Sequence, residues 1–215
     1  MSPARDEPGT TTVRRRYRSR LREQQTEQTR RAVLQAAHDL FAANGWAGTG
    51  MREVAAGAGV ALETVYSHFS SKRGLLRAVA DAAAAGDDEQ VPLAQRPEFL
   101  AMGHGRRPAR VQAAARLLTA VHLRTATIAR LLRQAAPADD EIAEMLLSTR
   151  ERQRSDVAAA LELILSRPPT TAERDGVWAI VSPEIYLLLV EESGWTPEQF
   201  EAWVAATLER VIPRS

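Results

Sequence analysis

The segment Thr49 to Lys72, TGMREVAAGAGVALETVYSHFSSK, constrains this chain more than any other. Met51, Val54 and Ala55 recur at helical spacing. Gly59 follows four residues after Ala55, where the chain must turn sharply, and glycine takes a positive φ there without steric cost. Val60, Leu62 and Val65 then open a second helix. Ala55 is small enough to let the two helices approach. Ala-x3-Gly-x5-Val is the size pattern needed by two helices that cross steeply over a turn of about 3–4 residues. The pattern predicts a helix-turn-helix. Such spacing also recurs by chance, and the run Tyr66-Ser67-His68-Phe69, followed by Ser70-Ser71-Lys72-Arg73-Gly74-Leu75-Leu76, sharpens it.

The run AGVALETVYSHFSSKRGLL resembles the DNA-binding segment of the TetR family of transcriptional repressors, with its AGV, its T-x-Y-x-H-F-x-x-K and its leucine pair. The close match covers Thr26 to Leu76, and SPEIYLLLVEESGWTPEQFEAWV is similar, more loosely, to the ligand-binding half of many members. Two residues depart from the pattern. Ala61 stands where the family often has a capping Ser, which weakens the cap. Glu63 stands where it often has Gly, which brings a carboxylate near the groove. The resemblance implies an all-α fold. An N-terminal three-helix helix-turn-helix head is joined by a linking helix to a C-terminal helical ligand-binding and dimerisation domain. The corresponding division is a flexible basic arm over 1–25, the head over 26–71 and the helical body over 72–215.

Composition agrees with an all-helical chain: Ala and Leu are abundant and β-branched alternation is almost absent. There is no cysteine, which excludes a disulfide framework and a thiolate metal site. No apolar run approaches the ~20 residues of a membrane span, and the N-terminus lacks the apolar core of a signal peptide. The expectation is a cytoplasmic protein without membrane contact. Net charge is only +1, but residues 1–31 hold nine arginines against four carboxylates. Residues 1–13, rich in Pro, Gly and Thr, read as disordered. Arg14 to Arg20 reads either as an arm that neutralises phosphates or enters a minor groove, or as a solvated tail or extension of the first helix.

Glu27 to Ala43 reads as an amphipathic helix with Val33, Leu34, Ala37, Leu40 and Phe41 on one stripe, stopped by Asn44-Gly45. Trp46 is expected to plug the small core behind it. Three such helices bury too little surface to stand alone. The next helix, Lys72 to Ala85, supplies Leu75, Leu76 and Val79 and becomes the candidate lever between head and body. Gly86 to Arg107 breaks the pattern, with a short helix near 95–102. Long helices follow from Pro108 to Ala136 and from an Asp139 or Asp140 cap to Leu165. Thr170 with Glu173 forms a capping box that opens a helix kinked at Pro183 and running to Glu192. Thr196 with Gln199 forms a second, opening the last helix.

The reading helix, Leu62 to His68, should present its first residues to base edges in a major groove. Leu62 can touch a thymine methyl, Glu63 can accept from cytosine N4, and Thr64 can meet a base or a phosphate. Tyr66 and His68 are placed on phosphate oxygens, Tyr66 with the support of the resemblance, and Lys72 adds charge at the next helix start. Thr49 and Arg52 hold the opposite strand. For the body, the resemblance implies a pocket among the middle helices and a homodimer built by the last two. Leu118, His122, Thr125, Met145, Trp178 and Tyr186 are the candidate pocket residues, although each also suits a plain core. The Leu187–Val190 run is apolar on several faces, which suggests that a partner chain covers part of it.

Together these features point to a ligand-responsive repressor that binds a double-stranded, pseudo-palindromic operator. It needs no cofactor, and its effector is a small hydrophobic molecule. An enzyme is disfavoured, because four scattered histidines without cysteine form no catalytic constellation. The alternative is a dimeric helical carrier or adaptor with a degenerate head.

Overall fold

The computed structural model describes residues 9–86 and 91–213, with side chains from Arg22 onward except at 85. Among the described residues there is no strand. The helices are α1 (Gly9–Asn44), α2 (Met51–Ala58), α3 (Leu62–Phe69), α4 (Lys72–Ala85), α5 (Pro97–Leu100), α6 (Arg107–Ala135), α7 (Asp140–Leu165), α8 (Thr171–Ile180), α9 (Pro183–Tyr186) and α10 (Pro197–Val211). A π-helical stretch, Leu187–Glu192, continues α9. Short 3₁₀ turns flank α5, so the helix expected near 95–102 is there in a broken form.

α1 begins far ahead of Glu27. The backbone over 9–25 is helical where composition predicts a flexible arm, because Arg, Leu, Glu and Gln lose little side-chain freedom in a helix. Residues 1–8 of that arm, and the side chains of its basic run, lie outside the described residues. At its other end α1 stops as the sequence predicts. Gly45 takes φ 68° and its N–H donates to the Phe41 carbonyl. Trp46 folds back onto Phe41, ring centroids 6.0 Å apart. Both capping boxes are formed, at Thr170/Glu173 and at Thr196/Gln199. Asp139 caps α7 by accepting from the Ile142 N–H.

The helix expected to run from Thr170 to Glu192 with a kink is two helices. α8 ends at Ile180, and Pro183 takes the first position of α9. Proline has no N–H to donate and its fixed φ suits a helix start, so a break costs less than a kink at this position.

Two hydrophobic clusters fill the molecule. The first holds Val33, Phe41, Val54, Val65, Phe69, Leu75 and Leu76 of the head, together with Ile128, Leu132, Ile142 and Met145 from α6 and α7. The second holds Phe99, Met102, Leu161, Val177, Phe200, Val204 and Leu208 in the body. α6 runs through both, and the head rests on the body by sharing its core.

Candidate functional site

The helix-turn-helix is built from the predicted residues. Gly59 takes φ 67°, and Val60 N–H closes the turn by donating to the Ala55 carbonyl at 3.0 Å. Val65 and Phe69 anchor α3 in the head core. Arg30 of α1 lies over the Phe69 ring at 5.7 Å. Ala61 makes no side-chain cap, in keeping with its departure from the capping residue. With that inner face fixed, Glu63 and Tyr66 stand exposed on the outer face, and Leu62, Thr64 and His68 lie half-buried at its edges. Tyr66 leaves 47 % of its surface to solvent. Arg52 is exposed on α2.

Two expected contacts take a different form. Thr49 is buried, and its hydroxyl donates to the carbonyls of Leu40 and Gly45, at 3.0 and 2.9 Å. It fastens the end of α1, so only its backbone remains for a phosphate. The Lys72 ammonium sits over the Trp46 ring, 4.1 Å from its centroid, and donates to the Trp46 carbonyl. Burial lowers its pKa, against the opposing pull of Glu53. Lys72 thereby ties α4 to the α1–α2 turn instead of reaching outward as a free charge.

The body contains a cavity of about 190 Å³ bounded by α4, α6, α7 and α8. Leu118, His122, Thr125 and Trp178 line it, as expected. Met145 does not. It packs in the head-side cluster, because its turn of α7 lies against α6 beneath the head. Tyr186 stands behind the wall, its ring 5.4 Å from that of His122 and 4.9 Å from that of Phe200. Ala80 and Ala84 of α4 and Thr149, Arg152 and Asp156 of α7 also line it. Those five carry no apolar stripe that singles them out in the sequence; only the packing of α4 and α7 against α6 reveals them.

His122 is buried, and its Nε2 donates to the Val181 carbonyl at 2.9 Å. That carbonyl is released from helical bonding by the break before Pro183. Burial lowers the imidazole pKa to about 4, more than the Val181 bond and Glu184 raise it, so the ring is neutral near pH 7. A neutral ring that donates through Nε2 carries a lone pair on Nδ1. Nδ1 of His122, Oγ1 of Thr149 and Nε1 of Trp178 are buried without a hydrogen-bond partner. Asp156 is held above the ordinary aspartate range by burial, in part offset by Arg152.

Residues 33–79 match the family model of the bacterial regulatory proteins, tetR family. Over those residues the head is similar to the DNA-binding domain of that family. Solved structures share the fold over most of the chain. A TetR-family member from Streptomyces coelicolor A3 is 19 % identical, with a TM-score of 0.59 over 86 % of this chain and 99 % of that one. A transcriptional regulator from Rhodococcus sp. Rha1 is 18 % identical, with a TM-score of 0.57 over 85 % and 95 %. The multidrug binding protein EbrR, solved with imidazole, is 20 % identical, with a TM-score of 0.56 over 86 % and 96 %. No curated protein matches the sequence. Among the described residues, no helix is long and apolar enough to cross a membrane.

Proposed function

We propose that this chain is a ligand-responsive repressor of the tetR family that binds a pseudo-palindromic operator as a homodimer, with α3 as its reading helix. The observation that carries the reading is the outer face of α3, where Glu63 and Tyr66 stand free above an anchored Val65 and Phe69. An exposed tyrosine on a helix this short has no packing role on that side. On this reading it offers a phenolic donor to a phosphate, while Leu62, Glu63 and Thr64 meet base edges and Arg52 holds the opposite strand. The Thr49 backbone and His68 complete the phosphate contacts, and Lys72 acts by fixing α4.

The largely apolar cavity and the multidrug-binding activity of EbrR, named for that protein, support a small-molecule effector. α4 joins the two sites: its first turn sits in the head, and Ala80 and Ala84 wall the cavity. A ligand that shifts those walls changes the spacing of the paired heads, and ligand and DNA then disfavour each other.

Fluorescence anisotropy against DNA from upstream of the chain's own gene, over a salt series, tests the reading. Thr64→Ala and Tyr66→Ala should each weaken specific binding about tenfold or more, since a bond to a charged phosphate or a base edge is lost. Binding that depends on salt alone and tolerates both substitutions favours the carrier or adaptor alternative.

A further inference from the structure

Three residues of the lining each carry a buried polar atom without a hydrogen-bond partner, and the chemical differences between the three atoms specify what would satisfy them. His122 Nδ1 can only accept, because its Nε2 proton is committed to Val181. Trp178 Nε1 can only donate. Thr149 Oγ1 can do either. Apolar side chains, Leu118 and Ile128 among them, make up most of the remaining wall. A buried acceptor or donor left unmatched is penalised, so an occupant that satisfies these atoms is favoured about tenfold or more over one of equal shape that does not.

Charge narrows the class further. Arg152 bonds Asp81 of α4 at 2.9 Å and also pulls on Asp156, so its charge is shared between two carboxylates. Asp156 contributes a carboxyl to the same wall, which repels an anion. Arg154 lies over the Trp178 ring at 5.4 Å and bonds Asp175 at 2.8 Å, holding the indole in place from outside.

We infer that the effector is an uncharged, mainly apolar molecule that donates a hydrogen bond to His122 Nδ1 and offers an acceptor oxygen to Trp178 Nε1 and Thr149 Oγ1. Aromatic hydroxy-ketones are the simplest members of that class. The inference rests on the effector reading of the cavity, and deepens it from "hydrophobic" to a donor-and-acceptor pattern.

Calorimetry on the full chain without DNA, using four probes, tests it. These are 4′-hydroxyacetophenone, its methyl ether, 4-ethylphenol and 4-hydroxybenzoate. The hydroxy-ketone should bind. The ether, lacking the donor, and 4-ethylphenol, lacking the acceptor, should each bind about tenfold more weakly or worse. The benzoate should not bind. His122→Phe should erase the difference between hydroxy-ketone and ether, and Trp178→Phe should narrow the difference between hydroxy-ketone and 4-ethylphenol, which Trp178→Phe combined with Thr149→Val should erase. A second measurement needs no variant: ¹⁵N spectra of the wild-type imidazoles should show one ring protonated at Nε2 only, whose Nδ1 signal moves on adding the hydroxy-ketone and stays with the ether. Equal affinity for ketone and ether, preference for the benzoate, absence of hydroxy-ketone binding or an unmoved Nδ1 signal overturns the inference. If the probes bind in the inferred order while operator affinity stays constant, the cavity chemistry stands and the switch falls.

Discussion

Gly59 sits at φ 67° with open space where a Cβ would be, so a substitution there acts on the backbone alone. Gly59→Ala should destabilise the chain by about 1 kcal/mol, read as a lower midpoint in denaturant. His122 gives a residue-scale prediction with a pH signature. Burial lowers its folded pKa to about 4 from the ordinary 6.5, so the unfolded chain takes up the proton first. Stability from this group is full above pH 6.5 and falls as pH drops toward 4, by about 3 kcal/mol in all. The acid limb of a stability profile should be shallower in His122→Gln over that window; an unchanged limb would mean that the imidazole is not held neutral. Gly59 was legible in the sequence because the turn is local. The role of His122 was only half legible. Its place on the apolar stripe marks it as buried, but its partner, the Val181 carbonyl, comes from 59 residues away and exists only because α8 stops short.

Helix boundaries were readable wherever chemistry at the terminus decides them. Thr170, Asp139, Thr196 and Gly45 all act as their types predict. Thr196→Ala should cost about 1 kcal/mol, seen as a lower melting temperature, because it leaves the Gln199 N–H without its cap. The Glu173 carboxylate is held near pKa 2, first by Arg167 and then by the Thr170 N–H. Its support is therefore complete above the ordinary glutamate range and is lost only as pH falls toward 2. Boundaries set by tertiary packing were not readable. Leu187–Glu192 is π-helical, with the Ser193 N–H reaching the Leu188 carbonyl at 3.0 Å. Within it Leu187 is buried and Leu188 is 47 % exposed.

At the scale of the molecule, the head and body are less separate than a boundary at residue 71 suggests. Ile142, 0 % exposed on α7, packs in the same cluster as Val54 and Val65. Ile142→Ala should cost about 2–5 kcal/mol and lower operator binding as well as stability, although the residue is far along the chain from the reading helix. Melting followed by fluorescence, which averages Trp46 of the head with the three body tryptophans, should coincide with melting followed by helical circular dichroism. Two separated transitions would show the clusters to be independent. Across this junction Arg73 bonds Asp139 through both its Nε and Nη2, at 3.1 and 2.9 Å, and reaches Glu141 at 3.1 Å.

The shared cluster bears on engineering. Exchanging reading heads between regulators is attractive as cassette design, with the cut placed after the helix-turn-helix. In this chain such a cut divides one apolar interior between donor and recipient. A chimaera joined at residue 71 would set α3 against a foreign α4 and α1 against foreign α4 and α6 surfaces. A workable graft must carry α4 together with the matching faces of Ile128, Leu132, Ile142 and Met145, so the transplantable unit is discontinuous in sequence.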